Sequence, residues 1–135
     1  MITALDHQQI ADTLARLAFA VDENDLDQLV DVFTSDATYD MSSSGMGVFH
    51  GLDALKTATA QLAASGHAPL AHFVTNTVIT EIDDDTATAR SKALMIMHDG
   101  ATHGVVYDDS VVRHDGRWLI SGRVISPLGA IAAQH

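Results

Sequence analysis

From Leu70 onward the chain reads as four long strands separated by turns, and this limits its fold more than any other feature. Residues 70–82 are rich in Val, Ile, Thr and Phe, which suit a pleated, half-buried surface. Asp83-Asp84-Asp85 follows as a solvated hairpin tip. Over 86–98, Ala87, Ala89, Ser91, Ala93 and Met95 alternate with Thr88, Arg90, Lys92 and Leu94, so the two sets face opposite ways. Asp99-Gly100 is a turn signal, and Asp115-Gly116 is a strong two-residue hairpin signal. The remaining strands are expected at 104–114 and 117–126, with Pro127 ending the last. Strands joined in this way form an antiparallel meander, and a long twisted sheet curls.

The first half is helical in character. Ile10, Leu14, Leu17 and Val21 recur at helical spacing within 5–22, and Ala11, Ala15, Ala18 and Phe19 widen their face into a broad apolar arc. Asn24 or Asp25 is placed to cap a second helix over 26–33, with Leu26, Leu29, Val30 and Phe33 as core contacts. Asp25 and Asp27 fit capping roles and carry no chemistry. Short strands are expected at 36–41 and 46–49, either side of the Ser42-Ser43-Ser44-Gly45 loop. A third helix, 52–65, carries Leu55, Ala58 and Leu62 and stops at Ser65-Gly66. Helices first and strands afterwards indicate the α+β class. Helices packed on the concave side of a curled sheet leave a cavity. With 135 residues, no repeat and no linker, residues 1–135 are expected to form one domain.

The bulk chemistry narrows the partners. A formal net charge of -11 argues against nucleic acid or an anionic membrane, which both need a positive surface. There is no cysteine, so disulfides and thiolate chemistry are excluded. No apolar run approaches the ~20 residues that span a bilayer. Met1 to His7 has neither a basic flank nor a long apolar core, so a signal peptide is not expected and the cytoplasm is the expected compartment.

Asp22 is the most informative single residue. At about 100° per residue it falls near Ala11, Ala15 and Ala18, on the apolar arc. Its carboxylate either points inward, where it needs a partner, or escapes to water at the helix end. Of the eight histidines, none pairs at HxH or HExxH spacing, so no metal site is expected. His72 shares a strand face with Leu70, Val74, Asn76 and Val78. It is either a core residue or, if a carboxylate holds one ring nitrogen, a base through the other. Arg123 shares a face with Leu119, Ser121 and Ile125. It is either a rim residue or an inward one that binds an anion, steadies negative charge or pairs with Asp22. Met41, Met46, Met95 and Met97 are adaptable core residues that suit a hydrophobic ligand. Tyr39 and Tyr107 are the only tyrosines, and either can donate to a substrate oxygen or serve an interface.

Several segments together resemble one family. They are Leu14 to Asp22, Asn24 to Leu29, Val32 to Ala37, Phe49-His50-Gly51, His72 to Asn76, and Asp115 to Trp118 with Arg123. In this order and spacing they resemble the SnoaL-like branch of the nuclear-transport-factor-2-like superfamily. The resemblance implies a cone-shaped, curved, antiparallel-rich sheet wrapped around three helices, with an internal apolar pocket. An Asp late in helix one and a His opening the first long strand are similar to scytalone dehydratase, bile-acid dehydratase and hexachlorocyclohexane dehydrochlorinase. By that resemblance His72 is the base that takes a proton from carbon, Asp22 orients it, and Arg123 assists. Leu17, Tyr39, Met41, Met95, Met97 and Tyr107 would bind the substrate. No metal or organic cofactor is implied, and a homodimer or homotrimer is expected, with Leu94 and Ile96 on the convex sheet face as contacts.

The chain departs from the pattern at two places. Where these relatives often carry Tyr or Lys five residues before the Asp, it has Leu17. Where the scytalone type has a tyrosine near the end of the first short strand, it has Met41, with Tyr39 two residues earlier. These changes bear on dehydration more than on proton abstraction. Three readings therefore stand: a cofactor-independent lyase or isomerase acting on a small hydrophobic molecule, a non-catalytic binding module for such a molecule, and a small structural subunit of a larger enzyme.

Overall fold

The computed structural model describes residues 1–128. Helix α1, Ala4–Asp22, begins at a capping box. The Asp6 backbone N–H donates to Thr3 Oγ1, and the Asp6 carboxylate accepts from the Thr3 backbone N–H. These bonds satisfy donors that a helix start leaves open. The helix buries Ile10, Leu14, Leu17 and Ala20. Each large side chain among them contributes about 1.5–3 kcal/mol when fully removed from water. Asn24, at φ 51, turns the chain out of the helix. The arc is narrower than expected, because Phe19 is 66% exposed.

The expected second helix is a six-residue 3-10 helix, Leu26–Asp31, with Asp25 at its start making no side-chain cap bond. A segment this short suits the tighter 3-10 geometry, which serves as a connector between longer elements. Leu29 is buried there while Val30 points to solvent. Strand β1 therefore starts earlier than expected, at Phe33–Asp40, and β2 is only Val48–His50. A one-turn 3-10 helix, Ser42–Ser44, lies between them. Helix α2 runs Leu52–Ser65 and ends at Gly66, whose φ of 78 suits the left-handed residue that closes a helix. The long strands are β3 Ala71–Glu81, β4 Thr86–Ile96, β5 Thr102–His114 and β6 Arg117–Pro127.

The six strands form one mixed sheet in the order β2-β1-β6-β5-β4-β3. All neighbours are antiparallel except β1 and β6, which run parallel. Among the described residues the sheet is not closed, and β2 and β3 are its edges. The core joins Ile10, Leu14 and Leu17 of α1 to Ala87, Ala89, Val111, Trp118 and Ile120 on the sheet. Small alanines at 87 and 89 leave room for the helix to approach. Among the described residues, no helix is long and apolar enough to cross a membrane.

Two register shifts change which residues face inward. In β3 the shift falls between Thr75 and Val78, around Asn76 at φ 55. Strict alternation puts Val78 on the His72 face, but Val78 pairs with Arg90 and is 64% exposed, and Ile79 packs on the core instead. In β6, Gly122 pairs with Ser110 and Ile120 with Val111, so Ser121 is the extra residue. Arg123 therefore continues the face of Trp118 and Ile120, not that of Leu119. Each bulge shifts the strand's alternation by one residue. Leu94 is exposed on the outer face. Leu128 lies there too, over Gly104, where any side chain on residue 104 would collide with it. The tail expected to cover a pocket or a contact lies, beyond Leu128, outside the described residues.

Candidate functional site

The last turn of α1 reaches the start of β3, and two bonds join them. His72 Nδ1 is 2.6 Å from Asp22 Oδ1, and the His72 backbone N–H donates to Asp22 Oδ2 at 3.0 Å. An ionised carboxylate only accepts hydrogen bonds, so Nδ1 carries the proton in the neutral ring and Nε2 keeps its lone pair. Both side chains are largely but not wholly buried, at 13% and 18% exposure. Asp22 thus takes the inward course, and its partner is His72 and not Arg123.

His72 lines a cavity of about 30 Å³ between α1 and the sheet. Leu14, Leu17, Ala18, Val21 and Val74 make its apolar wall. Tyr39, Tyr107 and Arg123 complete it. A second hollow, of about 400 Å³, is more open and lies away from this site, between Asn76, Lys92 and Leu128. Among the described residues, no three His, Asp or Glu side chains converge as a metal site requires.

Tyr39 and Arg123 of the cavity wall belong to one line of cross-strand neighbours. Ile79, Ala89, Asp109, Arg123, Tyr39 and Phe49 are successive partners from β3 to β2. The middle of that line is an ion pair. Arg123 Nε donates to Asp109 Oδ1 at 2.7 Å, and Nη2 donates to Oδ2 at 2.9 Å. The side chains are 2% and 0% exposed, so the pair is fully withdrawn from water. Burial works against the guanidinium charge, but the Asp109 carboxylate more than offsets it and raises the pKa above the ordinary arginine value. The guanidinium carbon also sits 3.7 Å from the centre of the Tyr107 ring, within the range of a cation–π contact. Burial raises the pKa of both tyrosine hydroxyls, so Tyr39 and Tyr107 stay protonated as donors.

Leu17, Tyr39 and Tyr107 of the expected substrate-binding set therefore border the cavity with His72 and Arg123, and Asp22 is joined to it through His72. Met41 and Met95 pack against the neighbouring cluster of Ala93, Val105, Tyr107 and Ile125. Met97 belongs to the β4–β5 turn, where its N–H donates to Ala101 O. Asp109 was not anticipated. Its signal was present, since Val105, Tyr107, Asp109 and Val111 alternate along one apolar face, the same irregularity that marks Asp22.

The SnoaL-like domain family matches residues 3–124, nearly the whole chain. The chain belongs to this family. No functionally curated protein matches it significantly. Among solved structures, a Novosphingobium aromaticivorans protein provisionally named an aromatic ring hydroxylase is 28% identical, with a TM-score of 0.80, over 95% of this chain and 92% of that one. LinA is 24% identical, with a TM-score of 0.76, over 92% and 90%. A second N. aromaticivorans protein, provisionally named a scytalone dehydratase, is 19% identical, with a TM-score of 0.78, over 93% and 94%. The last two likenesses speak to the fold alone. The SnoaL-like fold and the α+β class thus agree with the sequence reading.

Proposed function

We propose that this SnoaL-like protein is a cofactor-independent lyase or isomerase that removes a C–H proton from a small hydrophobic molecule. The observation behind this reading is that His72 both borders the cavity and bonds through Nδ1 to Asp22 at 2.6 Å. Nε2 takes the proton, and Asp22 stabilises the imidazolium that forms. The C–H electron pair then forms a double bond as a leaving group departs, or the proton returns at another carbon. Tyr107 steadies negative charge as it develops, as a hydrogen-bond donor. General-base help of this kind is worth roughly 10²–10⁴ in rate.

One feature favours the second reading, a binder without turnover. The cavity holds about 30 Å³, whereas sites that enclose drug-sized ligands offer roughly 300–1,000 Å³. Leu17 also stands where a Tyr or Lys would reach a leaving group. A substrate must therefore be small, or must turn side chains aside on binding, as is common at interfaces.

Proton exchange in D₂O separates the two readings. The protein is incubated with small cyclic ketones, β-hydroxyketones, sterols and halocarbons and followed by NMR. Deuterium entering one class, and lost in His72→Ala, is the expected result. Tight binding of a compound with negligible exchange in both proteins would replace the enzyme with a binding module.

A further inference from the structure

The wall of the cavity carries information about ligand charge that the proton-transfer reading does not use. Among the described residues Arg123 is the sole arginine or lysine on the cavity wall, and Asp109, paired with it, is not among the residues that line the cavity. The carboxylate takes two of the three guanidinium nitrogens, Nε and Nη2, in the side-on geometry of a fully matched pair. The pair is net neutral. Asp22 adds one negative charge beside His72. With a neutral imidazole, the groups around the cavity therefore sum to about one negative charge.

The geometry points to Asp109 as a specificity-determining residue that cancels Arg123 and makes the pocket select uncharged ligands over carboxylates. An entering carboxylate finds the one cation already matched and Asp22 close by with the same sign. A buried arginine on a pocket wall otherwise reads as an anion anchor, because its planar fork fits a carboxylate. Here that fork is spent inside the protein. An uncharged carbonyl or hydroxyl instead has the Tyr39 and Tyr107 side chains, which border the cavity, as its polar partners. Asp109 acts through Arg123, so it is a positioning residue and does not touch the ligand. This inference rests on the cavity being the ligand site and does not depend on proton transfer.

The test is binding of two probes of matched shape, cyclohexanecarboxamide and cyclohexanecarboxylate, by ligand-observed NMR near neutral pH. The native protein is expected to bind the amide at least tenfold more tightly. Asp109→Asn frees Arg123 and is expected to raise carboxylate affinity at least tenfold, with amide affinity changed less than threefold. A purely structural role for Asp109 would weaken both probes together. If Asp109→Asn does not fold, the double variant D109N/R123Q carries the test by removing both charges at once. Its preference for the amide over the carboxylate is expected to persist, because no uncancelled cation is left on the wall. Carboxylate binding as tight as amide binding in the native protein would overturn the proposal. So would loss of the preference in the double variant, no gain in the folded single variant, or no binding of either probe. Failure of the proton-transfer reading would show up separately, as absent deuterium exchange with charge selection intact.

Discussion

Asp22 holds His72 at two points, ring and backbone, so its two substitutions should differ. Asp22→Asn keeps the shape, but its amide nitrogen cannot accept from one of the two donors. We expect a fall in turnover of tenfold or more, with a smaller change in ligand affinity, read as a kcat-against-KM split once a substrate is found. Thr13 makes a stability prediction at the same scale. Its hydroxyl donates to Trp118 O at 2.8 Å inside the core. Thr13→Val keeps the volume and leaves that carbonyl short of a partner, a loss of about 1–3 kcal/mol by urea denaturation. Asp22 and His72 were legible one at a time, because a charged or titratable group on an apolar face is conspicuous in a periodic pattern. Their meeting was not, because 50 residues separate them and no local rule brings a helix end to a strand start. Asp109 was equally visible on its face. Nothing local pairs it with Arg123, 14 residues further on in the next strand.

At the scale of the element, the long strands were legible to within two residues at each end, since Asp83-Asp84-Asp85, Asp99-Gly100 and Asp115-Gly116 fix where they turn. The faces beyond each bulge were not. A bulge adds one residue without any compositional mark that alternation can detect, so strict alternation puts Val78 on the face of His72 and Leu119 on that of Arg123. Asn76 carries the β3 bulge at φ 55, a left-handed conformation that costs a branched side chain most. Asn76→Val is expected to cost roughly 1 kcal/mol or more, and Asn76→Gly to be neutral or mildly stabilising. Chemical denaturation of the two variants checks the order. The second helix was misread because Asp25 has the right residue type for a cap, yet its side chain makes no cap bond.

Across the whole molecule, the end of the core remote from the cavity is tied by Asp6. Its carboxylate accepts from Thr3 N at 2.7 Å and Thr3 Oγ1 at 3.0 Å, and from Arg113 Nη1 at 2.7 Å and Trp118 Nε1 at 3.1 Å. The Thr3 backbone N–H first, and then the Trp118 indole N–H, hold its pKa well below the ordinary 3.8. A depressed carboxylate stabilises the folded state above the unfolded pKa and loses that contribution as pH falls through the folded one. Native Tm is therefore expected to decline as pH drops below about 4, because the unfolded chain then binds the proton first. Asp6→Asn should lower Tm by several degrees at pH 7 and flatten its pH dependence below 4, as followed by circular dichroism.

The bond from the His72 backbone to Asp22 has a consequence for solubility. Strand β3 is an open edge of the sheet, and an edge N–H that points away from its neighbour is a template for another chain. At His72 that template is already occupied, because a carboxylate from the protein's own helix takes the place of a foreign carbonyl. The residue that holds the imidazole is therefore expected also to shield this part of the edge from unwanted pairing. Chains that lose Asp22 should lose colloidal stability, so a set of Asp22 variants would yield some of them as precipitate.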